Sequence, residues 1–128
     1  MKLSKALGGV TIVQKVSKDR ITNGDETLLN EETGSNRRCG GQGDVLSGTI
    51  GAFLAWGMRY ENDPNLTQKI SSERIPLLAA YAACAITRKA SKLTFQQLGR
   101  SMQTSDVLNQ VGKSFDEIFG PDELEPKL

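Results

Sequence analysis

Histidine is absent from all 128 residues. That excludes imidazole acid–base chemistry, a Ser-His-Asp arrangement and an HExxH zinc site within this chain. Cysteine is scarce. Cys39 and Cys84 are too few for a disulfide framework or a zinc knuckle, and they fit a reducing compartment. Aromatic residues are sparse as well, with one Trp, two Tyr and four Phe, so no base-stacking platform is expected. Neither sign of charge dominates: 16 basic residues face 15 acidic ones, which gives no bulk attraction to nucleic acid or to an anionic membrane. The longest apolar stretch, Thr49 to Met58, falls short of the ~20 residues a membrane span needs. Lys2 and Lys5 are not followed by the apolar core of a signal peptide. These absences predict a soluble intracellular protein that engages neither nucleic acid nor membrane.

What is present reads as one domain over residues 1–120 with a polar tail, 121–128. Leu3 and Leu7 share a helical face and Gly8-Gly9 stops it, so the chain opens on the tail of a helix, as a piece of something longer would. Val10 to Lys15 is β-branched and predicts a buried strand. Standing alone, such a strand exposes an edge, which predicts low stability. Asn23-Gly24 predicts a hairpin, with both residues at positive φ.

The run "VLSGTIGAFLAWGM" is apolar nearly all round and predicts a helix buried on most sides, with Trp56 in the core. Its small residues Ser47, Gly48, Gly51 and Ala55 suit a close backbone approach. Pro76 suits the first turn of an Ala-rich helix ending near Ser91, whose inner side carries Leu77, Tyr81, Cys84 and Ala85. Residues 93–103 read as a linker with room for a helical turn. A last helix, capped by Thr104 or Ser105 and stopped by Gly120-Pro121, presents Val107, Val111, Phe115 and Ile118.

The chemistry concentrates in "RRCGGQGDVLSG", Arg37 to Gly48. Glycines let successive backbone amides turn toward one point, and the following helix adds its unpaired first-turn amides and positive dipole end. Together they form an anion hole, to which one of Arg37 and Arg38 adds charge. Asp44 either caps the helix or accepts the proton of a hydroxyl that attacks a phosphoryl group. No GK[ST] follows, so this is not a Walker A loop, and the spacing after Gly43 does not fit GxGxxG. On spacing alone, a glycine-rich turn with a capping Asp remains an equal reading. The other cysteine, Cys84, and the loop's own Cys39 read as packing residues.

The string "GSNRRCGGQGDVLSGTIGAFLAW" closely resembles the GxGD region of the ATP-dependent NAD(P)H-hydrate dehydratases, a ribokinase-like family. The likeness extends to "TIVQK…D…NG" before it and to "LLAAYAACAITRKAS…GRSMQTSDVLNQVGKSF" after it, from about Leu3 to Phe119. It implies a three-layer α/β/α fold of which this chain is the C-terminal part: strand, β-hairpin, then mostly helices. It implies ATP as co-substrate, assisted by Mg²⁺ with no protein metal site, and dehydration of NAD(P)H hydrate through a phosphorylated hydroxyl. Asp44 then matches the catalytic and substrate-contacting acid. Lys15, Val16, Ser17, Lys18 and Asp19 match one ATP-contacting stretch. Ser35, Asn36, Arg37, Arg38, Cys39, Gly40, Gly41, Gln42 and Gly43 match the other, with Gly41 to Gly43 as the anion hole. Relatives occur in the cytoplasm and in mitochondria.

Two features depart from the family. Valine stands at position 16 where a glycine is usual, which disturbs the site if that position requires positive φ or a close approach of ATP. The chain is also shorter than the family's catalytic domain. The alternatives are a small-molecule kinase of the same superfamily and an inactive nucleotide-binding fragment.

Overall fold

A computed structural model describes residues 1–67 and 69–120. The elements in chain order are α1 (Lys2–Ala6), β1 (Ile12–Gln14), β2 (Asp19–Thr22), β3 (Thr27–Asn30), α2 (Gln42–Glu61), α3 (Ile75–Leu98), a 3₁₀ turn (Gly99–Ser101), α4 (Thr104–Asn109) and α5 (Val111–Phe119). The fold is a small α/β arrangement: a three-stranded antiparallel sheet, β1-β2-β3, followed by helices. Ile21 of β2 lies opposite Val13 on one side and Leu28 on the other. These residues pack on Leu77, Ala80 and Cys84 of α3, and that contact seats the sheet.

The strand at 10–15 is shorter and less buried than expected. Only Ile12–Gln14 pairs, Ile12 and Val13 are half-buried, and Val10 is exposed. The reason is that β1 has β2 on one side only and is an edge, as is β3. The hairpin forms where expected, by different means. Gly24 alone takes positive φ, at 95°. Asn23 acts through its side chain, whose Oδ1 accepts from the amides of Asp25 (3.1 Å) and Glu26 (2.9 Å). Arg74, just before α3, donates through Nε and Nη2 to both carboxylate oxygens of Glu26 (2.7 and 2.8 Å), which ties the turn to that helix.

Helix α2 contains no buried residue, contrary to the reading of its all-round apolar sequence. One side meets α3; Trp56 is 54% and Met58 63% exposed. Trp56 belongs to an aromatic cluster with Phe53, Phe115 and Phe119, with centroids of Phe53 and Trp56 5.1 Å apart. The close approach occurs at Gly57, where a Cβ would run into Ile75, and not at Gly48 or Gly51, which face open space.

Pro76 sits in the first turn of α3 as expected, but the helix runs on through residues 93–98, read above as a linker. Thr94 explains the continuation. It is buried, its hydroxyl donates to the carbonyl of Ala90 (2.7 Å), and the helix stops only at Gly99, φ 58°. The last helix is two helices, broken at Gln110. The break lets Val107 face Ala90 and Met102 while Phe115 and Phe119 face Phe53. The Asp106 carboxylate accepts from the amide of Gln103 (2.8 Å), so Gln103 is the N-cap and neither Thr104 nor Ser105 is. Gly120, at φ 80°, follows α5; Pro121 and the tail 121–128 lie outside the described residues.

One buried ion pair joins sheet to helix. Asp19 is fully buried, and Arg88 of α3 donates Nε to Oδ2 (2.6 Å) and Nη2 to Oδ1 (2.7 Å). Burial pushes this carboxyl up, but the hydrogen bonds from Arg88 and Lys15 outweigh it and hold it below its ordinary value of 3.8. A carboxyl with a lowered folded pKa stabilises the fold fully above the unfolded value, and that contribution is lost as pH falls through the folded one. Acid unfolding followed by circular dichroism is expected to steepen below about pH 3.9. Asp19→Asn should flatten that limb while leaving the chain less stable at pH 7. Superimposable acid limbs for the two proteins would contradict this role.

Candidate functional site

The segment from Thr33 to Asp44 is laid along α3 and then against the start of α4. Lys92 donates to the hydroxyl of Thr33 (2.9 Å), Gly34 passes beside Arg88, where a Cβ would lie 3.6 Å from its Cγ, and the hydroxyls of Ser35 and Ser91 are hydrogen-bonded at 2.7 Å. The Ser35 hydroxyl also reaches the carbonyl of Arg37 (3.3 Å). Cys39 is half-buried against Ala90, Met102 and Val107, and its thiol donates to the carbonyl of Met102 (3.3 Å). Its packing reading is borne out, as is that of Cys84, which is fully buried with its thiol pushed by burial up to about 11.

The loop then meets Thr104, whose hydroxyl donates to the carbonyl of Gly40 (2.5 Å). Gly41 adopts φ 92°, and a Cβ there would lie 3.2 Å from Thr104 Cγ2. The backbone conformation favours glycine at this position, and the space is tight. Gly41 is also the N-cap of α2, and its carbonyl accepts from the amides of Asp44 (3.0 Å) and Val45 (3.2 Å). The capping reading of Asp44 is therefore corrected: it lies in the first turn of α2, the cap is a glycine, and its carboxylate is exposed. The positive end of the α2 dipole suits an incoming anion; of the first-turn amides, that of Asp44 is taken by Gly41 and that of Gln42 donates to the carbonyl of Cys39 (3.5 Å).

Beside this helix start lies a cleft of about 420 Å³, lined by Arg37, Arg38, Cys39 and Gly40 on one wall and Met102, Gln103, Thr104 and Ser105 on the other. Both arginines border it. Thr104 and Ser105, expected to serve as caps, stand in its second wall. Asn36 is exposed at the bend before the arginines, and the Gln42 side chain reaches back toward the Arg37 carbonyl at 3.5 Å.

The other stretch expected to meet nucleotide, Lys15 to Asp19, is the turn between β1 and β2. Asp19 points inward, and Lys15 Nζ donates to its Oδ2 (2.8 Å). Arg88 Nη1 and Nη2 donate to the carbonyls of Ser17 (2.8 Å) and Val16 (2.6 Å), and Lys18 pairs with Glu31 on the surface (2.6 Å). Val16 does not take positive φ, so the backbone conformation that would penalise a valine is not used here. Among the described residues no cluster of three or more His, Cys, Asp or Glu could cage a metal ion.

Arg88 is the residue the sequence reading missed, since it holds the Lys15–Asp19 turn and passes beside Gly34. A signal was there. Position 88 continues the inner face of α3 through Leu77, Tyr81 and Cys84, and a charge on an apolar stripe calls for a buried partner.

A family profile described as NAD(P)H-hydrate dehydratase matches residues 2–113. The chain is 44% identical over 119 residues to an ATP-dependent (S)-NAD(P)H-hydrate dehydratase of Rattus norvegicus, covering 93% of this chain and 33% of that protein. It is 42% identical to the Homo sapiens protein of the same name over 119 residues, with the same coverage of each. With the Dictyostelium discoideum protein of that name it shares 39% over 117 residues, 91% of this chain and 38% of the relative. The chain thus spans about a third of the length of these relatives. With the matched region running from α1 into α5 and containing both the glycine loop and the turn at Lys15, the chain belongs to the NAD(P)H-hydrate dehydratase family.

Proposed function

We propose that residues 1–120 form the C-terminal part of a ribokinase-like α/β/α domain and carry the phosphoryl-transfer half of an ATP-dependent NAD(P)H-hydrate dehydratase. The observation that carries this reading is the exposed Asp44 carboxylate in the first turn of α2, directly after a glycine loop beside an arginine-lined cleft. In this reading ATP lies along Lys15–Asp19 and Ser35–Gly43. The amides of Gly41, Gln42 and Gly43 and the guanidinium groups of Arg37 and Arg38 take up charge on the transferred phosphoryl group. Asp44 accepts the proton of the hydrate hydroxyl as that oxygen attacks the γ-phosphorus and ADP departs. The ring C–O bond then breaks, phosphate leaves with the oxygen, and loss of a ring proton restores NAD(P)H. The motif supplies one carboxylate, which fits a Mg²⁺ ion held chiefly by phosphate oxygens; when bound, the ion neutralises phosphate charge. On this reading the protein acts in the cytoplasm, in mitochondria or in both, as the resemblance implies.

A second reading has an observation of its own. The exposed apolar side of α2, with Trp56 and Met58, favours a chain that binds nucleotide but does not turn over by itself. A kinase of the same superfamily would instead release a stable phosphorylated product.

Absorbance at the NADH band, with NADH hydrate, ATP and Mg²⁺, separates these. ATP-dependent recovery of absorbance is expected for the dehydratase, and Asp44→Asn is expected to lower it about 10²–10⁴-fold while ATP still binds. Undiminished turnover by the Asp44 variant would remove Asp44 from the chemistry. Gly41→Ala is expected to cost about 1–2 kcal/mol through its positive φ and to weaken ATP binding, as read by thermal melting and nucleotide titration. A variant with an unchanged melt would show that the loop tolerates a Cβ.

A further inference from the structure

We propose that Arg88 is a positioning residue for the nucleotide: by holding the buried Asp19 carboxylate alone, it leaves the Lys15 ammonium free to move onto a phosphate. The inference rests on the reading that Lys15–Asp19 meets ATP. It follows from how one carboxylate is shared between two cations. Arg88 bonds both oxygens, Nη2 to Oδ1 at 2.7 Å and Nε to Oδ2 at 2.6 Å. Lys15 adds a third bond at 2.8 Å to Oδ2, which Arg88 already serves. Removing Lys15 therefore leaves neither oxygen without a partner and the buried charge still neutralised.

The two cations also differ in setting. The Arg88 side chain is 17% exposed and further fixed by the carbonyls of Val16 and Ser17, whereas Lys15 is 46% exposed. A guanidinium presents its donors in a rigid fork and holds two oxygens at once; an ammonium is a point charge on a flexible stem. Arg88 is thus the permanent partner and Lys15 the removable one. Without Arg88, Lys15 would be the one cation among the described residues on a fully buried carboxylate, and leaving it would strand a buried charge. The same Arg88 stem passes close to Gly34, where a Cβ would lie 3.6 Å from Arg88 Cγ, just before the second nucleotide stretch.

The test is a double-mutant cycle on ATP affinity, measured by calorimetric titration of the 128-residue chain, with circular dichroism confirming the fold. In the wild-type background Lys15→Ala is expected to weaken ATP binding about tenfold, the size of one charge-assisted contact. In an Arg88→Gln background ATP binding is already weak, and Lys15→Ala should change it less than about twofold. In Asp19→Asn/Arg88→Gln no buried carboxylate holds the lysine, and the Lys15→Ala effect should return. A merely structural Arg88 would weaken binding yet leave the Lys15 effect the same size in both backgrounds, which would overturn the proposal. Should Arg88→Gln fail to fold, Arg88→Lys serves in the same cycle, where a Lys15 effect equal to wild type again overturns it. Failure of the wild-type chain to bind ATP would overturn the nucleotide reading itself, and this proposal with it.

Discussion

The Asp19–Arg88 ion pair is the constraint on which the rest of the arrangement turns. A carboxylate removed from water costs several kcal/mol unless its oxygens are matched closely, and here the match comes from a residue 69 positions away in the chain. Satisfying Asp19 therefore fixes β2 against α3. The apolar cluster of Ile21, Leu77, Ala80 and Cys84 fills the same contact and excludes water from the pair. The dependence is mutual. The cluster makes the carboxylate costly to bury, and the arginine makes the cluster's register unique, since a slip of one residue in β2 would turn Asp19 outward and leave the guanidinium without its partner.

From that fixed point the glycine loop is placed by contacts along α3 and into α4. Gly34 lies over Arg88, Ser35 over Ser91, Cys39 against Ala90 and Met102, and Gly40 under Thr104. Each contact is a single hydrogen bond or a small packed group, and none would order eleven residues of loop alone. In sequence along one rigid helix they do so because each shortens the free segment that the next must close. The freedom of glycine is needed at only one point of the loop, Gly41, where the chain turns into α2 at positive φ and Thr104 leaves little room for a Cβ. The first-turn amides of α2 owe their direction to that turn.

How much of this could be read from residues alone depended on whether the cause was local. The hairpin was legible because Asn23 and Gly24 contain their own reason to turn, although the side chain of Asn23, not its backbone, does the work. The glycine loop and the helix carrying Asp44 were legible for the same reason. The surroundings of α2 were not: an all-round apolar sequence says what a helix would prefer to meet, not what it meets. The continuation of α3 past Ser91 was missed because Thr94 is a weak helix former whose burial and back-bond to Ala90 appear only in three dimensions. Thr104 was read as a cap because its type suits one, yet Gln103 with Asp106 took that task and released its hydroxyl to Gly40.

Helix α2 joins two features that need not depend on each other. Asp44 stands in its first turn and Trp56 in its last turns, twelve residues apart, or about 18 Å of helix. The cleft beside the first is formed by Arg37–Gly40 and Met102–Ser105, all within this chain. The exposed side of the second is aromatic and apolar, a surface suited to being covered. A body packed over the Trp56 end would bury apolar area without reaching the Asp44 end, so phosphate recognition and the covering of α2 are separable in space. Their coupling would run through the helix itself: fixing the aromatic end restrains the axis along which the first-turn amides point, and a dipole aimed at a phosphate acts only within its terminal turn.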